Sequence, residues 1–139
     1  MKFLGLDIGD HRVGVAFGDS ELHLATPVDV FRRGSIDEDV RLISKFIREY
    51  DAARLIVGLP RNMDGTRGAQ AEAVTFYAGQ IARALNLPVI FWDERLTTVE
   101  AMRRTEEAGR RGRKARRGLD AIAAAVILQD YLDGQRHGV

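Results

Sequence analysis

The sequence contains no cysteine. Disulfides, zinc–thiolate centres and cysteine nucleophiles are therefore excluded, and the chain suits a reducing compartment. Histidine is scarce: His11, His23 and His137 are the only ones, and they lack metal-motif spacing. No apolar run approaches the ~20 residues needed to span a bilayer. The opening Met1-Lys2-Phe3-Leu4-Gly5-Leu6-Asp7 meets a carboxylate too early for a signal peptide. The expectation is a soluble cytoplasmic protein with no membrane partner. There is no internal repeat, and no low-complexity segment beyond one basic stretch.

The chain has 139 residues. That suits one domain, and a domain of ~150 residues buries roughly 68–70% of its unfolded surface without needing staples. A single domain over residues 1–139 is expected.

Net charge is +1, but it is unevenly spread. Residues 103–118 hold Arg103, Arg104, Arg110, Arg111, Arg113, Lys114, Arg116 and Arg117 against Glu106 and Glu107, a net of +6. The remaining 13 basic and 18 acidic residues leave −5 elsewhere. A concentrated basic patch on an acidic body points to a polyanion at one place, with these arginines and the lysine as the nucleic-acid contacts. The bland alternative is a solvated, disordered loop. The position of the patch directly before Asp120 favours function.

Hydrophobic patterning gives the order of elements. Lys2–Ile8 and Arg12–Phe17 read as strands joined by a Gly9-Asp10-His11 turn, and Ala25–Phe31 as a third extended segment. Ser35-Ile36-Asp37-Glu38 is a capping box. It opens a helix with Ile36, Val40, Ile43, Ile47 and Tyr50 at helical spacing. Asp37, Glu38 and Asp39 lie in its first turn, where acids favour the helix dipole. Leu55-Ile56-Val57-Gly58 and Pro88–Trp92 read as strands buried on both faces. Between them a helix runs to about Leu85, with Ala73, Phe76, Ile81 and Ala84 inward. Thr97-Thr98-Val99-Glu100 is a second capping box, whose helix ends near Gly109. A last helix is expected from about Leu119 to Asp133. The fold class is α/β, a mixed five-stranded sheet with helices on both faces.

Three carboxylates stand at the edges of apolar segments: Asp7, Glu94 and Asp120. A carboxylate beside a core is costly unless it is paired, hydrogen-bonded or holding a cation. Asp7 and Glu94 sit at strand C-terminal ends, where ligands gather in such sheets. Of the adjacent Asp93 and Glu94, at most one faces Asp7 squarely. In Asp120-Ala121-Ile122-Ala123-Ala124-Ala125 the alanines let a helix lie close to a sheet. Asp120 in a first helical turn also has a dipole explanation, worth ~0.3–1 kcal/mol. Such a trio suits Mg²⁺ or Mn²⁺, which take oxygen ligands and support phosphodiester hydrolysis without a protein nucleophile. His11 reads as an exposed turn residue and Arg12 as the structural partner of a carboxylate or phosphate. The opening hairpin Leu6-Asp7-Ile8-Gly9 also resembles the phosphate-binding start of actin-like and sugar-kinase ATPases. Those proteins need two related halves, and 139 residues supply one. A non-catalytic nucleic-acid-binding module is a further alternative, opposed only by the acidic trio.

Four blocks in order resemble the YqgF/RuvX family of the ribonuclease H-like superfamily. They are Gly5-Leu6-Asp7-Ile8-Gly9 with Arg12-Val13-Gly14-Val15-Ala16, Val57-Gly58-Leu59-Pro60 with Met63-Asp64-Gly65-Thr66, Asp93-Glu94-Arg95-Leu96-Thr97-Thr98, and Asp120 with Ala123-Ala124 and Ile127-Leu128-Gln129. The resemblance covers nearly the whole chain. It implies a ribonuclease H-like domain with its acidic, metal-holding site on Asp7, Glu94 and Asp120. The implied activity is metal-dependent endonuclease action in 5′-end maturation of pre-16S ribosomal RNA, or resolution of Holliday junctions. The expected partner is structured RNA or branched DNA, and the expected state is a monomer or homodimer.

Overall fold

The computed structural model describes residues 1–60, 64, 66–94 and 113–136, with the side chains of 113–118 and 136 left aside. Strand β1 (Lys2–Ile8) pairs antiparallel with β2 (Arg12–Asp19), and β2 pairs antiparallel with β3 (Leu24–Arg32). The Gly9 N–H donates to the Arg12 carbonyl at 2.8 Å and closes the first turn. Strand β4 (Arg54–Leu59) runs parallel to β1, and β5 (Val89–Asp93) runs parallel to β4. The sheet order is β3-β2-β1-β4-β5. The mixed five-stranded sheet is as expected. Strand β1 has the expected bounds, β2 runs two residues past Phe17, and β3 and β4 extend one residue further at each end; β5, expected to be buried on both faces, starts one residue later, lies at the sheet edge and is half-buried throughout.

Side chains alternate across each strand, and the two faces carry different cores. Leu4, Leu6, Val13, Val15, Leu55 and Val57 point to one face. Helix α1 (Ile36–Tyr50) and helix α2 (Ala69–Leu85) cover it. The capping box at Ser35 forms, with Glu38 N–H donating to Ser35 Oγ and Ser35 N–H donating to Glu38 Oε1. Phe3, Ala16 and Ile56 point to the other face, against Ala124, Ile127 and Leu128 of helix α3 (Arg113–Arg136). Helices therefore lie on both faces.

Two sequence expectations are corrected. In α2 the inward residues are Ala71, Val74, Tyr77, Ala78, Ile81 and Ala82. Ala73 and Ala84 face solvent, and Phe76 is 71% exposed. Alanines around the whole helix leave its apolar stripe ambiguous. The orientation chosen buries Tyr77, whose hydroxyl finds a partner in Asp39. Helix α3 starts at Arg113 rather than near Leu119. Arg, Lys and Ala are strong helix formers, and the single Gly118 costs only ~1 kcal/mol. Asp120 therefore lies well inside a helix, and the dipole explanation for it fails. The expected helix at 97–109 lies outside the described residues. Among the described residues, no helix is long and apolar enough to cross a membrane.

Candidate functional site

Asp7 lies on the α3 face of β1, two residues beyond Gly5 and four beyond Phe3, and is only 4% exposed. Its neighbours on that face are glycines. Gly14 is its cross-strand partner on β2. Gly58 on β4 follows Val57, the partner of Leu6. Neither glycine is free to be larger. A Cβ on Gly14 would overlap the backbone carbonyl of Asp120. A Cβ on Gly58 would come within 2.8 Å of Glu94 Oε1 and 2.5 Å of Ile127 Cδ1. The missing side chains on either side of Asp7 are thus what admit Asp120 and Glu94.

Each arm of the site is tied down. Trp92 precedes Glu94 by two residues, and its indole Nε1–H donates to Asp130 of α3 at 2.6 Å. Tyr131 meets the Trp92 ring edge-on, with centroids 5.5 Å apart. These contacts fix the end of β5 to α3. Of the two adjacent carboxylates, Glu94 is the one brought over Gly58, and it is 5% exposed. Arg12 Nε donates to Asp120 Oδ2 at 2.6 Å, bridging 108 positions of sequence. The two side chains are 30% and 21% exposed. A solvent-screened pair of this kind contributes only ~0.2–1 kcal/mol to folding.

Behind the site, a second network holds the β1–β2 turn. The Arg33 guanidinium donates to the Gly9 carbonyl at 2.9 Å and stands over the Tyr77 ring, 4.0 Å from its centroid. The Tyr77 hydroxyl donates to Asp39 Oδ2 at 2.8 Å, and the Gly34 N–H donates to Asp39 Oδ1 at 2.9 Å. Burial, then the bond to Asp39, pushes the Tyr77 phenol well above its ordinary value. Sequence reading assigned Asp39 to the helix dipole alone. Asp39 is in fact 1% exposed. Its place one turn before Ile43, on the helix face expected to be buried, was the signal available.

The three carboxylates thus share one region of one face. All their donors are oxygens, which suits a hard cation such as Mg²⁺ or Mn²⁺. They do not close on a single point: among the described residues, no three His, Asp or Glu side chains gather into a metal-holding group. His11 is exposed, as expected for a turn residue. Arg103, Arg104, Arg110 and Arg111 lie outside the described residues. Arg113, Lys114, Arg116 and Arg117 fall on the first turns of α3, where a loop was the bland expectation.

Residues 1–134 match the model of the family described as RuvX: Holliday junction resolvase. The chain belongs to the RuvX family. A relative of this RuvX-family chain in Caldanaerobacter subterraneus subsp. tengcongensis is 41% identical over 99% of both chains, and bears the name "Putative pre-16S rRNA nuclease". A relative in Anaeromyxobacter sp., with the same name, is 44% identical over 97% of this chain and 98% of its own. Among solved structures, T. thermophilus RuvC in complex with a Holliday junction substrate aligns at a TM-score of 0.59. Identity there is 14%, covering 99% of this chain and 96% of that one. The Fowlpox virus resolvase bound to Holliday junction DNA aligns at 0.53 and 10% identity, covering 95% and 99%. The fold is that of the ribonuclease H-like resolvases.

Proposed function

We propose that this RuvX-family chain is a divalent-metal-dependent nuclease, one ribonuclease H-like unit over residues 1–139, that acts in the cytoplasm on the 5′ end of pre-16S ribosomal RNA. The observation that carries this is Asp7, buried between two glycines, with Glu94 and Asp120 admitted beside it. Three carboxylates at a core edge, two of them almost fully buried, put on one face of the sheet oxygen donors of the kind a hard divalent cation takes. Asp7, Glu94 and Asp120 would hold the cation, Mg²⁺ or Mn²⁺. When bound, such a cation would supply Lewis acidity at the scissile phosphate. Asp7 contributes from the rigid central strand, Glu94 from the end of β5, and Asp120 from a helix pressed onto the sheet. The basic residues from Arg103 to Arg117 hold phosphates and set affinity rather than sequence choice.

The relatives' name favours the ribosomal RNA precursor. The family description and the junction-bound resolvases support a second reading, hydrolysis of four-way DNA. Resolving a junction takes two symmetric cuts and hence a C2 dimer with two sites, whereas one RNA end needs one site. The test presents purified protein and Mn²⁺ with a precursor fragment and a four-way junction. Trimming at the mature RNA end, with only random nicks in the junction, supports the first reading. Paired symmetric junction cuts with intact RNA establish the second. No cleavage of either leaves a binding module.

A further inference from the structure

The ion pair between Arg12 and Asp120 joins the opening hairpin to a carboxylate of the proposed cation site. It is partly exposed on both sides, so it adds little to folding. It nevertheless places a permanent cation on Asp120 Oδ2. A divalent ion that recruits Asp120 must therefore displace the guanidinium or share the carboxylate with it. A doubly charged ion competes well, since Coulomb attraction scales with charge. The helix backbone need not move for this, because the Asp120 carbonyl is seated against Gly14 whatever its side chain does.

We propose that Arg12 is a positioning residue that occupies Asp120 while the site is empty and yields it to the divalent cation. The inference rests on the reading of Asp7, Glu94 and Asp120 as the cation site. In the cation-free protein Arg12 neutralises one member of the trio and keeps its side chain in place. On loading it becomes the competitor that sets the cation concentration needed. Arg12 thereby makes binding weaker than the three carboxylates alone would allow.

Mn²⁺ binding followed by electron paramagnetic resonance, without nucleic acid, tests this apart from catalysis. Arg12→Gln is expected to tighten Mn²⁺ roughly three- to tenfold at low ionic strength, as removal of one positive charge a few ångströms away implies. Arg12→Lys keeps the charge and is expected to stay within about twofold of wild type, by the same electrostatic argument. In an Asp120→Asn background, Arg12→Gln is expected to tighten binding far less, since no carboxylate remains to be released. A purely structural Arg12 predicts the opposite sign, with Arg12→Gln loosening α3 and weakening Mn²⁺. Weaker or unchanged binding in Arg12→Gln overturns the inference, as does equal tightening in both backgrounds. If wild type shows no Mn²⁺ binding that Asp7→Asn diminishes, the cation-site reading fails and this inference with it. If Asp7→Asn does diminish binding and Arg12→Gln does not tighten it, only the inference fails.

Discussion

Gly14 on β2 lies against the backbone carbonyl of Asp120 on α3, so closely that even a methyl group would collide with it. Gly14 is also the cross-strand partner of Asp7. One position without a side chain thus sets the spacing between two members of the acidic trio.

Gly14→Ala is expected to push α3 off the sheet. Overpacking of this kind costs about 1–3 kcal/mol, to be read from the urea midpoint. Cleavage is expected to fall further than stability, because Asp120 moves away from Asp7. Gly79→Ala is the matched control. Gly79 lies inside α2 with nothing within 4 Å of an added Cβ. It is expected to gain about 0.5–1 kcal/mol, as helix propensity dictates, with cleavage unchanged.

Asp7→Asn, Glu94→Gln and Asp120→Asn are each expected to reduce cleavage to near background while the fold persists. Mn²⁺ affinity is expected to drop in each. Circular dichroism and thermal melting check the fold, and gel-based cleavage in Mg²⁺ and Mn²⁺ checks activity. Wild-type turnover in all three variants would remove the site assignment.

Neutralising Arg110, Arg111, Arg113 and Lys114 together is expected to weaken binding to any nucleic acid tested. The logarithmic salt slope is expected to flatten by roughly 0.7–0.9 per lost phosphate contact. Fluorescence anisotropy across a salt series measures it. A slope equal to wild type would mean that these charges are only solvated.

Tyr77→Phe removes the donor to buried Asp39. Leaving a buried acceptor short of a partner costs about 1–3 kcal/mol. The same residue sets an alkaline limit. Its folded-state phenol is held protonated, above the ordinary value of 10.0. Above that pH the unfolded chain loses the proton while the folded one keeps it, so stability falls as pH rises. Wild type is expected to lose stability progressively above about pH 10, the pKa of a free tyrosine. Tyr77→Phe is expected to show a shallower loss. Urea titrations from pH 8 to the alkaline limit compare the two; parallel curves would contradict the assignment.

The local code of this chain was readable without a structure. Alternation in β1 assigns Leu4 and Leu6 to one face and Asp7 to the other, because side-chain direction in a strand depends only on parity. Ser35 and Glu38 announce the start of α1, because a capping box closes within four residues. The carboxylates at element ends were visible for the same reason: an acid next to a core is conspicuous by composition alone.

Tertiary structure decided what depends on distant partners. Gly14 and Gly58 read as turn or strand glycines until α3 and Glu94 are laid upon them. Phe76 reads as an inward residue of α2, and the structure instead buries the face that carries Tyr77, whose hydroxyl meets Asp39. The bond from Arg12 to Asp120 spans 108 positions, and no local pattern could name that partner. Strand parity and helix caps are short-range, set by neighbouring backbone geometry. The placement of Asp7, Glu94 and Asp120 on one face of the sheet is long-range, set by how closely one alanine-faced helix can approach a glycine-bearing sheet.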